Sequence, residues 1–202
     1  MNQKTAMKLF GLLGLLMLLS CGYADRHRNS SLCEQALVDS LEVRVQDSLF
    51  SNVHYSRSQL LEALTQTQDS LVYYRLLALY GKTFFVSSDF DSILYYNRRV
   101  KEFSRNASQS SESLQSPRWN DVLSDVYNIE GNVWMQLNRP DSAIIDYKKA
   151  YGYRLEGKKL HLLPDICINI ADAYLHRSDL AHTASYYRRA LFLCDSLNLS
   201  EH

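Results

Sequence analysis

The residues that break regular structure are scarce in this 202-residue chain, which has only 7 Gly and 3 Pro. An all-β sandwich needs a turn every 8–12 residues or so, and so few turn-formers cannot supply them. An excess of charge of either sign is also missing, because 22 Lys and Arg balance 22 Asp and Glu. Nucleic acid calls for a basic face, so direct nucleic-acid binding is not expected. No nucleophile elbow, P-loop, dinucleotide-binding glycine pattern or HExxH motif occurs. The six histidines are scattered, and the spacing of His161, His176 and His182 does not make a ligand set. No metal or cofactor is therefore expected, and no enzyme activity. Hydrophobic residues, at 46%, are enough for a packed core, and 14 Tyr supply bulk. Long helices joined by short loops fit this composition.

Lys4 and Lys8 precede an apolar run from Leu9 to Leu19. A helix needs about 20 such residues to cross a bilayer, so the run is too short for a stable span and residues 1–20 read as a leader. Without it the charge is about −2. The run closes on Leu18-Leu19-Ser20-Cys21 with Gly22 next. This resembles the lipobox of bacterial lipoproteins, which implies acylation of the Cys21 thiol, cleavage before it, and a lipid anchor holding the chain to a membrane of the cell envelope. The polar residues 21–31 suit a tether. Cys33, Cys167 and Cys194 remain. They offer no zinc-like spacing; Cys167 and Cys194 either meet across one helix pair or act as separate buried thiols.

The remainder carries a hidden repeat. A small residue is followed three positions on by an aromatic in Gly81/Phe84, Gly131/Trp134 and Ala171/Tyr174. Four positions earlier stand Leu77, Tyr127 and Cys167; seven positions later stand Ser88, Asn138 and Ser178, each suited to cap a helix N-terminus. Ile93, Ala143 and Thr183 follow twelve positions after the small residue, and Val100, Ala150 and Ala190 seven beyond those. Residues three or four apart share a helix face, so each unit reads as two helices with facing stripes. Tyr147 and Tyr187 fall midway along the second helices, where unit one has Asn97, so looser packing is expected there. Pro140 suits a first helical turn.

This pattern resembles the tetratricopeptide repeat family, as do Ala171-Asp172-Ala173-Tyr174 and Asp141-Ser142-Ala143-Ile144-Ile145-Asp146-Tyr147. The resemblance implies an all-α superhelix of helical hairpins. Three repeats are expected at about 70–105, 118–157 and 160–198, after a degenerate hairpin over 32–69 that caps the stack. The small residues are 50 and then 40 positions apart, beyond the family's period of about 34. The first excess falls in the Ser-rich stretch Ser104 to Ser116, read as a loop; the second falls around Tyr151 to Leu163, with breaks at Gly157 and Pro164.

In this family the first helices line a concave binding surface. The matching outward positions here are Lys82, Asn128, Asn132 and Asp172. Asn128 and Asn132 are one turn apart, so both amides can address one extended peptide. The set that grips a peptide carboxylate is incomplete, since Asp165 and Asp172 stand where a basic residue would help. The function implied is an envelope scaffold binding a protein or peptide partner, with the membrane met only through the lipid. Two other readings are the sensory part of a longer membrane-associated regulator and a glycan-binding lipoprotein. The latter resembles this chain only in leader and helices.

Overall fold

A computed structural model of the protein describes residues 35–45, 51–107 and 116–198. Among them the fold is all-α, with no strand. A helix over 35–45 (α1) is followed by α2 (Val53–Gln66), α3 (Ser70–Lys82), α4 (Phe90–Ala107), α5 (Pro117–Gln136), α6 (Pro140–Leu155), α7 (Leu163–His176) and α8 (Leu180–Asn198). Short 3-10 turns at Thr83–Ser87 and Leu160–Leu162 follow α3 and precede α7. None of the described helices is long and apolar enough to cross a membrane. Cys21, Cys33 and the leader lie outside the described residues.

The helix starts are written in the local sequence. The side chain of Asn52 accepts from the Tyr55 N–H at 3.1 Å and opens α2. Asp69 accepts from Leu71 and Val72 at 2.8 and 3.3 Å and opens α3, and Ser116 accepts from Trp119 at 3.3 Å and opens α5. Such caps satisfy backbone donors that have no partner within the helix. All three prolines of the chain, Pro117, Pro140 and Pro164, stand in first turns, where a missing N–H costs nothing. Pro164 thus begins a helix where a break was expected.

Ser88, Asn138 and Ser178 do not act as N-caps. Each is left-handed, with φ of 53°, 54° and 59°, and each closes the helix or turn before it. The N–H of Ser88 donates to Phe85 at 3.1 Å and that of Asp89 to Phe84 at 3.2 Å. Asn138 and Arg139 repeat this on Met135 and Trp134 at 3.0 and 2.8 Å, as do Ser178 and Asp179 on Leu175 and Tyr174 at 2.8 and 3.0 Å. These paired bonds satisfy carbonyls at the helix end. The reason for the one-residue displacement is that a tight reversal needs one residue to end the first helix and another to begin the second. The second role falls to Asp89, which accepts from the Ser92 N–H at 3.1 Å, and to Asp179, which accepts from His182 at 3.2 Å. Arg139 holds the same place with no side-chain cap.

Packing follows chain order. α3 packs on α4, α5 on α6 and α7 on α8, while α5 also reaches α3 and α7. Leu77, Ile93, Val100, Val126, Val133, Ala143, Tyr147, Ala150, Cys167, Ala171 and Ala190 are buried along these seams. The small residues are needed for close approach, though the group lying on them comes from the facing helix and not from the aromatic three positions on. A Cβ on Gly131 would fall 2.3 Å from the Tyr147 ring, and one on Gly81 would fall 2.9 Å from Cβ of Tyr96. Ile93, Asn97 and Val100 are each 0% exposed, so burial shows no looseness in the first unit at those places. Cys167 is a buried free thiol and Cys194 an exposed one, with no bridge between them.

Two polar ties set the ends of the helices. Arg154, 1% exposed, donates to Asp121 at 2.7 Å and also to Asp125. Asp121 accepts in addition from the backbone N–H groups of Lys158 and Lys159 at 3.0 and 3.2 Å. A Cβ on Gly157 would lie 2.2 Å from the Asp121 carboxylate, so the loop wraps this side chain only because residue 157 is glycine. On the other flank α1 buries Val38, Leu41 and Val45 against Leu60, Ala63, Val72 and Leu76. Its Asp39 pairs with Arg75 at 2.7 Å and Arg118 at 3.1 Å, and its Glu42 pairs with Lys159.

Candidate functional site

The first-helix positions singled out in the sequence meet between α5 and α7. Successive turns of α5 carry Asn128 and Asn132, while α7 carries Asn169, Asp172 and His176. Nδ2 of Asn169 donates to Oδ1 of Asn128 at 3.0 Å, linking the two helices directly. The hydroxyl of Tyr147, reaching over from α6, donates to Oδ1 of Asn132 at 2.8 Å. Tyr187 on α8 donates in the same way to Asp172. The two tyrosine ties have the same spacing of 15 residues, one in each helix pair.

Between these groups lies an open pocket of about 280 Å³, lined by Met135, Tyr147, Asn169, Asp172, Leu175 and His176. Small-molecule pockets run to about 300–1,000 Å³, so this one has room for a side chain and not for a large ligand. Burial is the main cause that raises the Tyr147 phenol above its ordinary range, and the charge of Asp172 adds to it. For Tyr187 the hydrogen bond to Asp172 comes first and burial second. Both hydroxyls therefore keep their protons and serve as donors at neutral pH.

Asp172 lines this pocket, whereas Asn128 and Asn132 do not and are joined to it through their bonds to the lining residues Asn169 and Tyr147. Lys82, the last residue of α3, is not among the residues that line the pocket. It holds the register of Asn132 one helix pair earlier and that of Asp172 two pairs earlier. Asn169, Tyr147 and Tyr187 were not anticipated as part of the site. For the two tyrosines a signal was present, since a polar residue just after the small one and a tyrosine midway along the second helix occur together in units two and three, while unit one has neither the tyrosine nor an acceptor; Asn169 had none. Among the described residues no cluster of three or more His, Cys, Asp or Glu could hold a metal ion.

No protein-family model matches the chain, and no curated protein matches it. Among solved structures it is similar to the crystal structure of BtubC (BKLC) from P. vanneervenii, at 16% identity over 87% of this chain and 85% of that one. The TM-score of that pair is 0.42, a likeness too slight to carry an argument.

Proposed function

We propose that this protein is a lipid-anchored scaffold of the cell envelope, built as a short tetratricopeptide-type array, that binds an extended peptide segment of a protein partner. Its role is recognition and not catalysis. The observation that carries the reading is the groove between α5 and α7, where Asn128 and Asn132 present amides one turn apart beside a pocket of side-chain size. An extended peptide exposes a backbone carbonyl and N–H at every residue, and asparagines along a groove can meet them without reading sequence. The left-handed turns at Ser88, Asn138 and Ser178 support the repeat assignment, because they recur with the period of the small residues. The anchoring rests on Leu18-Leu19-Ser20-Cys21.

Two experiments test the halves separately. A pull-down from membranes compares the lipidated protein with an Asn128→Ala/Asn132→Ala variant shown by circular dichroism to remain folded; loss of specific partners is expected, and identical recovery refutes the groove. Labelled fatty acid should enter the wild-type protein and not a Cys21→Ser variant. Equal labelling of the two refutes the anchor.

A further inference from the structure

The groove's hydrogen-bonding groups are not evenly distributed, and their internal bonds decide what remains for a ligand. A primary amide has one oxygen acceptor and two N–H donors. The oxygen of Asn132 receives the Tyr147 hydroxyl and that of Asn128 receives Asn169. Both α5 amides are thereby oriented, with their N–H groups left to donate. Asp172, on the α7 side, can only accept. Tyr187 donates to its Oδ1, and among the described residues Oδ2 has no donor. Of the six residues lining the pocket, Asp172 is the one carboxylate and no Lys or Arg is present. Met135 and Leu175 give the same pocket an apolar wall.

We propose that this pocket takes a lysine or arginine side chain of the bound segment, an assignment that rests on the peptide-groove reading above. The ligand's aliphatic stem lies along Met135 and Leu175, as long cationic side chains cover apolar surface while their heads stay polar. Its ammonium or guanidinium donates to Asp172 in a charge-assisted hydrogen bond, stronger than a neutral one. Backbone carbonyls of the same segment accept from Asn128 and Asn132. Tyr187 is a positioning residue, since its hydroxyl holds one carboxylate oxygen and leaves the other for the ligand. The 280 Å³ volume suits one long side chain. A peptide C-terminus is disfavoured, because its carboxylate would face that of Asp172.

The test uses the full chain and seven-residue peptide pools, blocked at both ends, with degenerate flanks and a fixed centre of lysine, acetyl-lysine, norleucine or glutamate. Binding is followed by fluorescence anisotropy. The lysine pool should bind at least tenfold more tightly than the acetyl-lysine and norleucine pools, and the glutamate pool least tightly. Asp172→Asn should erase the preference without lowering the melting temperature. Tyr187→Phe should weaken it, and Asp195→Asn, which removes an equal charge from an exposed position near the end of α8, should leave it intact. Equal binding of all pools, lost only in the Asn128→Ala/Asn132→Ala variant, overturns the cation assignment and leaves the groove standing. Equal loss from Asp195→Asn and Asp172→Asn overturns it too, since a diffuse field would then be at work. No binding by any pool removes both readings.

Discussion

α4 and α6, the second helices of two successive helix pairs, occupy the same register and hold α5 from opposite sides. α6 also reaches forward, where Lys148 donates to the Tyr174 hydroxyl of α7 at 2.9 Å. α4 reaches forward: Asn97 donates to the Val126 carbonyl at 3.2 Å, Lys101 pairs with Glu130 at 2.6 Å, and Ser104 accepts from the Trp119 indole at 3.1 Å. All three partners belong to α5, the helix that follows. α6 also holds α5, but as the helix before it: Tyr147 bonds Asn132, Asp146 accepts from the Trp134 indole at 2.8 Å, and Arg154 bonds Asp121. α5 is thus clasped from both sides. The register-equivalent residues Ser104, Arg154 and Cys194 show the gradation, from a buried hydroxyl through a buried cation to an exposed thiol. The shared backbone plan prescribes which positions face a neighbour, and side-chain chemistry decides which neighbour is held.

Substitutions on the two sides of this clasp should differ in cost. Arg154→Ala leaves the buried Asp121 without its counter-charge, and breaking such a pair costs about 3–5 kcal/mol; urea unfolding should report a loss of that size. Ser104→Ala, its counterpart on α4, strips the buried Trp119 N–H of its acceptor, for about 1–3 kcal/mol. A Ser104→Ala loss equal to or above that of Arg154→Ala would erase the distinction. Gly131→Ala forces a Cβ into the Tyr147 ring. Overpacking of about 1–3 kcal/mol is offset by about 1 kcal/mol of helix propensity, so a net loss is expected, with Gly81→Ala milder in the same melting assay. The displaced Tyr147 ring should also give up its bond to Asn132, seen as faster solvent exchange of the Tyr147 hydroxyl proton by NMR.

Smaller effects come from the turns. Ser88→Gly and Ser178→Gly relieve the left-handed strain of residues with a Cβ and should each raise stability by up to about 1 kcal/mol; Asn138→Gly should gain less, since asparagine tolerates that conformation. The caps supply the least. Hydrogen bonds to Ser92 hold the Asp89 carboxyl below its ordinary range, and bonds to His182 do the same for Asp179. A depressed folded pKa stabilises above the unfolded value of 3.8 and is lost as pH falls through the lower folded value. Acid titration should therefore loosen the starts of α4 and α8 below about pH 4, read as faster amide exchange there, and Asp89→Asn should flatten the α4 part of that response.

Much of the fold was legible because it depends on spacing. The stripes through Tyr127, Gly131 and Trp134 and through Cys167, Ala171 and Tyr174 mark first helices directly, and the facing stripes mark second ones; in the first unit the stripe runs past the end of α3, with Phe84 in the 3-10 turn. The turns were misread by one residue because Ser and Asn serve equally as N-caps and as left-handed closers, and the sequence alone does not separate those roles. The Arg154–Asp121 tie was invisible for a different reason: its partners are 33 residues apart, and no local pattern announces a contact set by how two helices align. Gly157 looked like a break when it is a clearance for a carboxylate. In the site, Asn128, Asn132 and Asp172 were found from helix register. Asn169 was not, since only packing brings it to Asn128 on another helix, and the tyrosines left a spacing pattern without showing which acceptor each would meet.

The uniform turns at Ser88, Asn138 and Ser178 give the molecule one edge of constant gauge. From each small residue to its turn the count never changes, and the whole difference between intervals of 50 and 40 residues accrues on the far edge, where one pair hands over to the next. One margin works as a spine and the other as a place where chain can be added without disturbing the groove. Grafted epitopes or reporter loops belong on that second margin between α4 and α5, because the loop between α6 and α7 already wraps Asp121, and a graft at any of the three turns should unseat the stack.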